Sequence, residues 1–241
     1  MCGRATLTSP SDDIAELFEA HAIDIGPPRF NIAPGQALLT VRRASARARE
    51  LALLKWGLVP WWAKPEEVKR LGGSCIQARA ESVATAPAFR DAFADHRCLV
   101  VIDGFYEWRT LPDGRRVPHH VRASSKKPFA VAGLWDRWKT PEGEVLETCA
   151  VVTTAAEGVI RTLHDRMPLV VANDAWNAWL EGSAEEAKSI LSSKKPSADF
   201  TVVPVSSWVN DVRHDDPRCL EALASVNDAK GQIGFSFLAE K

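Results

Sequence analysis

The residue with the most distinctive chemistry in this sequence is Cys2, which directly follows Met1. Aminopeptidases generally remove an initiator methionine when the second residue is small, so the mature chain is expected to begin with Cys2. An α-amine has a much lower pKa than a lysine amine, and roughly several hundred times more of it is the nucleophilic free base at about pH 7. The cysteine thiol adds a second nucleophile two carbons away.

An amine and a thiol on neighbouring carbons react with an aldehyde in a way that no isolated lysine or internal cysteine can. The amine forms a Schiff base, and the thiol then closes it to a thiazolidine ring. Cys2 is therefore a candidate for covalent chemistry on aldehydes. The alternative is a cysteine that follows the initiator methionine by chance and has no function.

Two further side chains could move protons. Glu107 lies in Asp103–Trp108, an extended segment of apolar and aromatic residues, where burial would raise the carboxyl pKa and suit it to proton transfer. Because side chains alternate along a strand, an outward-facing glutamate is the structural alternative. His164, in Leu163–Pro168, could act as a general acid or base, or could cap the end of a helix.

Three other features suggest contacts with an extended anionic ligand. Trp61 and Trp62 lie in a loop bounded by prolines, and exposed indoles stack on unpaired bases at about 1–3 kcal/mol each. The alternative is that one of the two indoles is buried. Arg79 could bind a phosphate or pair with Glu81, and Pro34 could act as an apolar wedge.

The composition is that of an ordinary globular chain and excludes several classes of protein. Lysine and arginine number 30 against 31 acidic residues, which argues against a strongly basic coat for nucleic acids. A chain of 241 residues can bury about 70% of its surface. No apolar run approaches about 20 residues, so no membrane span is expected. The five cysteines include no CxxC pair, so we predict free thiols in a cytoplasmic protein without a metal or cofactor.

Periodicity and turn signals predict the elements that must position these residues. Strands are predicted at Gln36–Arg43, Glu50–Leu58, Cys98–Ile102, Gly104–Arg109, Pro118–Arg122, Phe129–Leu134, Val145–Thr153 and Phe200–Val205. A capping box at Ser9 predicts a first helix that ends before Gly26, and another at Ser183 opens the last. The later helices are predicted at Ala84–Asp95, Glu157–Leu163, Ala175–Leu180 and Ala184–Leu191. We expect one α+β domain over residues 1–223, followed by a tail of uncertain structure over 224–241.

Several short motifs, taken in order, resemble the SOS response-associated peptidase (SRAP) family of abasic-site processing proteins. The matching segments are Met1–Arg4, Arg29–Pro34, Trp56–Trp62, Ala78–Glu81, Asp103–Trp108, Val151–Ala155, His164–Pro168 and Pro204–Ser206. Any one segment is a weak signal. The ordered set is specific because it extends over most of the chain.

The resemblance implies an enzyme that recognises abasic sites in single-stranded DNA. Cys2 would couple to the ring-opened aldehyde as a thiazolidine, Glu107 would handle protons at the amine and the sugar, and His164 would assist ring opening. The covalent DNA–protein cross-link would protect the lesion during the response to DNA damage. The family is also credited with removing its own Met1, which implies peptidase activity beside the lyase-like Schiff-base chemistry.

The resemblance also implies DNA contacts, partners and a fold. Arginines would grip the DNA backbone, while aromatic side chains and a proline would stack on bases and bend the strand. The implied DNA-binding residues are Arg4, Asn31, Pro34, Trp61, Trp62, Arg79, Trp108, Thr153 and Arg166. The implied fold is α+β, with a bifurcated, barrel-like mixed β-sheet surrounded by short helices. We expect a monomer whose partners are abasic single-stranded DNA and replication-fork or repair proteins, and which joins the nucleoid when bound to DNA.

Two other functions would use the same residues. A cysteine peptidase would need the Cys2 thiol as nucleophile, His164 as base and Glu107 to orient it, but no free terminal amine. A non-catalytic module would bind single-stranded DNA through Trp61 and Trp62, with an affinity that falls as salt rises.

One residue departs from the family pattern. Related sequences usually have asparagine in the lesion pocket where this chain has Gln77. Glutamine keeps the amide donors and the carbonyl but extends them by one methylene. It could serve the same role after a small shift, or it could crowd the pocket and slow cross-linking.

We expect Gln77→Ala to reduce covalent coupling to an abasic oligonucleotide, because the substitution removes the amide. The measurement is the cross-linked fraction on a denaturing gel over time. Gln77→Asn serves as the matched control that restores the usual family residue. Wild-type coupling by both variants would exclude Gln77 from the site.

Overall fold

The computed structural model describes residues 3–45, 48–193 and 199–223. Met1, Cys2 and the tail predicted over 224–241 lie outside these ranges. The strands, numbered along the chain, are β1 (Ala5–Leu7), β2 (Ala20–His21), β3 (Arg29–Ile32), β4 (Ala37–Ser45), β5 (Ala48–Trp56), β6 (Gln77–Arg79), β7 (Arg97–Ile102), β8 (Gly104–Thr110), β9 (Arg116–Ala123), β10 (Phe129–Lys139), β11 (Val145–Ala155), β12 (Arg166–Pro168) and β13 (Phe200–Pro204).

The helices are short and lie around the sheets. They are α1 (Ser11–Phe18), α2 (Val68–Ser74), α3 (Arg90–Asp95), α4 (Trp176–Glu181) and α5 (Ala184–Leu191). Single 3₁₀ turns lie at Pro65–Glu67, Gly158–Thr162, Asn173–Ala175, Ser207–Asn210 and Pro217–Leu220. Within the described ranges, no helix has the length and apolar content that crossing a bilayer requires.

Five strands close into a barrel around the main core. Their order is β11, β10, β7, β4 and β5, and these neighbours pair antiparallel. The barrel closes where β5 pairs with β11 in parallel, with Lys55 opposite Thr148 and Trp56 opposite Cys149. Closure leaves fewer free strand edges than an open sheet would. The largest fully buried side chains of these strands include Trp56, Leu38, Leu39, Leu54, Leu99 and Leu134.

A second, antiparallel sheet is joined to the barrel. Its order is β13, β9, β8, β1 and β3. Only Asp103 separates β7 of the barrel from β8 of this sheet. Strand β11 also pairs with β12 and β6 outside the closed barrel. The predicted α+β class, with a bifurcated, barrel-like mixed sheet and short surrounding helices, is therefore confirmed.

The structure confirms the strands predicted in the centre of the chain and the capping box at α5. Ser183 Oγ accepts a hydrogen bond from the Glu186 amide at 3.2 Å, and the Glu186 carboxylate accepts one from the Ser183 amide at 2.7 Å. Each contact satisfies a backbone or side-chain group that would otherwise be unpaired at the helix start. The sequence patterns do not predict β1, β2, β3, β6 and β12, which are too short to show a clear alternation.

The predicted capping box at Ser9 is wrong. The N-cap of α1 is Pro10, and the Ser9 hydroxyl instead donates to the Asp103 carboxylate at 2.7 Å. Pairing of β1 with β8 brings that carboxylate close, so a tertiary contact replaces the local one. The helix ends at Phe18, well before Gly26.

Two other helix predictions need correction. Only Arg90–Asp95 of the predicted Ala84–Asp95 is helical, and turns precede it around Pro87. Proline disfavours helical conformation in the residue before it, which explains the late start. The helix predicted over Glu157–Leu163 is a 3₁₀ turn at Gly158–Thr162.

Helix α2 meets the barrel at Gly57, which follows β5 with a φ of +132°. A β-carbon at Gly57 would lie 2.0 Å from the carbonyl oxygen of Gly72 in α2. The backbone conformation and the close contact therefore both require glycine. This contact fixes α2 one residue beyond the strand pair that closes the barrel.

We predict that Gly57→Ala lowers the free energy of unfolding by at least about 2 kcal/mol, because it adds strain and a backbone clash. Urea unfolding followed by tryptophan fluorescence measures the change. The matched control is Gly73→Ala in α2, where a β-carbon would have no neighbour within 4 Å. Alanine should leave stability there unchanged or raise it by up to about 1 kcal/mol. Equally small changes in the free energy of unfolding for the two substitutions would show that position 57 does not require glycine.

Candidate active site

Glu107 is buried in the middle of the second sheet. It lies on β8, opposite His119 of β9, and only 2% of its surface is exposed. Burial raises the pKa of the Glu107 carboxyl, while the charges of His164 and Arg116 act in the opposite direction. The outward-facing alternative is therefore wrong, and Glu107 is an acid with a raised affinity for its proton.

His164 lies after the 3₁₀ turn at Gly158–Thr162 and is partly buried. Its Nδ1 accepts a hydrogen bond from the Arg166 amide at 2.9 Å. Nδ1 also lies 2.7 Å from the Asp165 carboxylate, a contact that needs a proton on Nδ1. In the neutral ring the amide contact is the stronger of the two, because the Asp165 side chain is 85% exposed and water competes for it. The neutral ring then carries its proton on Nε2.

Three of the predicted site residues, Gln77, Arg79 and Thr153, lie close together along β11. Strand β6 runs parallel to β11, with Gln77 opposite Val151 and Arg79 opposite Thr153. The Thr153 hydroxyl is buried and donates to the Ala78 carbonyl at 3.3 Å. Gln77 is partly buried, whereas Arg79 is exposed. The short strand β6 thus brings the predicted amide and a cation to one edge of β11.

Arg166 is held in a fixed orientation beside this edge. Its guanidinium donates to both carboxylate oxygens of Glu81, at 2.6 and 3.0 Å, and to the Thr153 carbonyl at 2.6 Å. The hydrogen bond from Arg166 is the main cause that lowers the pKa of Glu81. Glu81 therefore pairs with Arg166, and in the described ranges no ion pair joins Arg79 to a carboxylate.

Trp61 and Trp62 are both exposed, at 61% and 39% of their surface, so the alternative in which one is buried is wrong. The Trp61 amide donates to the Asp136 carboxylate at 2.9 Å, and the Trp138 indole donates to the Ala63 carbonyl at 2.7 Å. These contacts fix the backbone on both sides of the indoles. The loop therefore presents two aromatic faces on a rigid base.

A groove of about 490 Å³ is lined by Pro34 and Gly35 of one turn, by residues of α2, and by Pro65 after the indole loop. Pro34 itself is exposed. The charged residues that line the groove are Lys55 and Lys69, and its lining also includes Gly72 and Gly73 of α2. A cleft with lysines and exposed backbone suits an anionic strand.

The remaining predicted DNA contacts lie elsewhere and are engaged within the protein. Asn31 is fully buried and its amide donates to three backbone carbonyls. Arg4 donates to Asn31 Oδ1 at 2.7 Å, and the Trp108 indole donates to Asn210 Oδ1 at 2.8 Å. In this conformation all three side chains hold the segment Ser207–Asp216 against β1, β3 and β8.

Sequence reasoning missed the acceptor that completes this arrangement. The Asp215 carboxylate accepts hydrogen bonds from the amides of Phe30 and Asn31, the second at 2.9 Å, and pairs with Arg29. No local pattern points to Asp215, because its partners lie about 185 residues earlier in the chain. Among the described residues, no group of three or more acidic, histidine or cysteine side chains is arranged to hold a metal ion.

The barrel and the flanking sheet define a single-domain α+β protein that buries one carboxyl, Glu107, in the second sheet. Solved structures share this architecture. A protein from Bacteroides thetaiotaomicron is 21% identical, with a TM-score of 0.82 over 92% of this chain and 100% of that one. A phage-related protein from Bordetella bronchiseptica is 29% identical, with a TM-score of 0.68 over 85% of this chain and 94% of that one.

The chain belongs to the SOS response associated peptidase (SRAP) family, whose model matches residues 1–212. A relative named abasic site processing protein YoqW, from Bacillus subtilis, is 36% identical over 92% of this chain and 100% of its own length. A more distant relative, abasic site processing protein HMCES from Xenopus tropicalis, is 26% identical over 92% of this chain and 78% of its own length.

We predict that Glu107→Gln raises the thermal unfolding temperature at about pH 8. Because the folded-state pKa of Glu107 is raised, ionising this carboxyl costs stability as the pH rises from its unfolded-state pKa through its folded-state pKa. Glutamine removes that cost and keeps the shape. The difference from wild type should shrink towards about pH 4, where Glu107 is protonated in both states. A difference that is independent of pH in thermal melts would contradict the raised pKa.

Proposed function

We propose that this protein processes abasic sites in single-stranded DNA and forms a covalent cross-link through Cys2 after removal of Met1. The observation that carries the proposal is the buried, proton-retaining carboxyl of Glu107 beside the amino-terminal strand. The relatives named abasic site processing proteins support the same substrate. An abasic site offers an aldehyde once its sugar ring opens, and that is the group a terminal aminothiol captures.

The path of the chain supports a role for Glu107 at the terminal amine. The Arg4 carbonyl accepts a hydrogen bond from the Tyr106 amide at 3.0 Å, so the start of the described chain runs beside β8 at Glu107. One peptide unit, about 3.8 Å between Cα atoms, separates Gly3 from Cys2. Cys2 lies outside the described residues, and its coupling to Glu107 is part of the proposal.

In the proposed reaction, the Cys2 amine adds to the aldehyde carbon of the opened sugar. Glu107 carries the two protons of the attacking amine, one after the other, to the former carbonyl oxygen, so that this oxygen leaves as water and a neutral Schiff base forms. The thiol then adds to the same carbon, its proton passes to the nitrogen, and the thiazolidine closes. A buried carboxyl with a raised pKa suits these transfers, because burial favours the protonated form and the group can hold a proton before returning it.

His164 would act before this step. With Nδ1 accepting from the Arg166 amide, the neutral ring has an Nε2–H that can donate to the ring oxygen of the closed sugar. This hydrogen bond polarises the bond between C1 and the ring oxygen. When that bond breaks, the proton of the C1 hydroxyl passes to the ring oxygen and the aldehyde is released. When its ring is protonated, the charge of His164 lowers the pKa of Glu107, which supports a common site for both groups.

The proposed DNA path uses few charges. The exposed Arg79 and the oriented Arg166 would contact phosphates near the lesion, and buried Thr153 would hold the strand that carries them. Trp61 and Trp62 would stack on unpaired bases, which a single strand offers more readily than a duplex. Pro34 and the lysine-lined groove would direct the flanking strand away from the site.

The test mixes the protein, with Met1 removal verified by mass spectrometry, with an abasic single-stranded oligonucleotide. We expect a slow band on a denaturing gel that is absent for Cys2→Ala. Cys2→Ser should give at most a reversible adduct, because an oxazolidine is less stable than a thiazolidine. A variant that keeps a residue before Cys2 should lose coupling, since its amine is blocked.

Each alternative gives a different result in the same experiment. Full coupling by Cys2→Ser or by the blocked variant would exclude the thiazolidine mechanism. Peptide cleavage that survives blocking of the amine, without any cross-link, would support a cysteine peptidase. Binding that weakens with salt and never resists denaturant would support a non-catalytic DNA-binding module.

A further inference from the structure

The guanidinium of Arg4 is bound inside the protein. Nη1 donates to Asn31 Oδ1 and to the Val209 carbonyl, each at 2.7 Å, and Nη2 lies 3.3 Å from the Asn210 carbonyl. The group is partly buried, and its carbon lies 5.7 Å from the centre of the Trp108 ring. Arg4 therefore bridges the amino-terminal strand and the segment Ser207–Asp216.

The partners of Arg4 are themselves fixed. The fully buried amide of Asn31 donates to the carbonyls of Val209, Asp211 and His214, at 3.1, 3.0 and 2.7 Å. Asp215, in the same segment, accepts two hydrogen bonds from backbone amides of β3. Because a buried hydrogen-bonded network has few alternative arrangements, the acceptors of Arg4 are held in place before any ligand binds.

The same segment also holds the strand that carries Glu107. Asn210 accepts a hydrogen bond from the Trp108 indole through its side chain, while its carbonyl faces Arg4. Trp108 is next to Glu107, and Arg4 is two residues from Cys2. The segment Ser207–Asp216 is therefore bonded to both parts of the chain that the proposed reaction must align, the amino-terminal strand and β8.

We infer that Arg4 is a positioning residue: with Asn31 and Asn210 it anchors the start of the chain so that the terminal amine is held at Glu107. This inference rests on the proposed function. It replaces the expectation that Arg4 grips the DNA backbone, because its guanidinium is already bound to an amide oxygen and backbone carbonyls. Asn31 and Trp108 then contribute to the site through Arg4 and Asn210, without touching DNA.

The two roles of Arg4 make opposite predictions about binding and reaction. A phosphate contact contributes to non-covalent affinity, and its loss lowers the salt dependence of binding by about 0.7 in logarithmic slope for single strands. A positioning contact leaves affinity unchanged and slows the covalent step, by about 10- to 100-fold for a displacement near 1 Å. The affinity for an undamaged strand and the rate at saturating abasic strand therefore separate them.

The test compares Arg4→Ala and Arg4→Lys with Arg79→Ala, the matched loss of an exposed arginine. For both Arg4 variants we expect unchanged affinity and salt slope with an undamaged oligonucleotide, and a covalent rate lowered about 10- to 100-fold at saturating abasic DNA. Lysine should not rescue the rate, because it lacks the planar fork that reaches several acceptors. Arg79→Ala should weaken binding to the undamaged oligonucleotide and lower its salt slope, which neither Arg4 variant should do.

A second variant tests the same contact network without changing Arg4, so that misfolding of the Arg4 variants cannot explain the result. Asn210→Ala keeps the carbonyl that faces Arg4 but removes the Trp108 contact, and it should slow the covalent step while the protein still melts cooperatively. Amide hydrogen exchange in β1 should also rise in Arg4→Ala, since the strand loses its anchor. Unchanged exchange in β1, or a covalent rate that lysine restores fully, would overturn the inference.

The outcomes also separate this inference from the proposed function. If wild-type protein forms no cross-link, the proposed function fails, and exchange in β1 still decides whether Arg4 anchors the strand. If wild type cross-links and Arg4→Ala does so at the same rate with weaker binding, the positioning role alone is wrong and Arg4 contacts phosphate.

Discussion

The rest of the structure depends on β11, because this strand carries backbone hydrogen bonds to four others. Along one edge it pairs first with β5 and then with β6, and along the other first with β10 and then with β12. The first half of the strand closes the barrel, and the second half extends beyond it. Gln77, Thr153 and Arg166 all lie at this second half, so barrel closure also positions one side of the candidate site.

The other side of the site depends on burying a carboxyl that water would stabilise. Glu107 lies on β8, which pairs with β9 and β1 in the second sheet, and burial favours its protonated form. Isolated buried carboxylates are costly, and such groups are found where proton transfer is useful. The segment Ser207–Asp216 closes over this sheet and ties β1, β3 and β8 together through Arg4, Asn31 and Asp215. Burying Glu107 therefore costs stability, and the surrounding hydrogen bonds keep the arrangement in place.

Net charge says little about how this family member would hold DNA. The chain carries a formal charge of −1, which fits a protein that contacts a few nucleotides and not one that coats a strand. Several arginines have internal roles that a count cannot reveal. Arg4 bonds to Asn31, Arg97 donates to backbone carbonyls at Phe93 and Trp179, and Arg166 is oriented by Glu81. The exposed Arg79, together with Lys55 and Lys69 of the groove, remains available to an anionic partner.

The sequence by itself determined the α+β class, the central strands, the capping box at Ser183 and the family, because these follow from periodicity, local hydrogen bonds and ordered motifs. It also predicted that Glu107 and His164 move protons. Only the tertiary structure decided that Glu107 is buried, that both Trp61 and Trp62 are exposed, and that Ser9 bonds to Asp103. It also decided that Asn31 faces inward, held by partners at positions 209–215. Burial and long-range pairing depend on which strands meet across the sheets, and no local pattern contains that information.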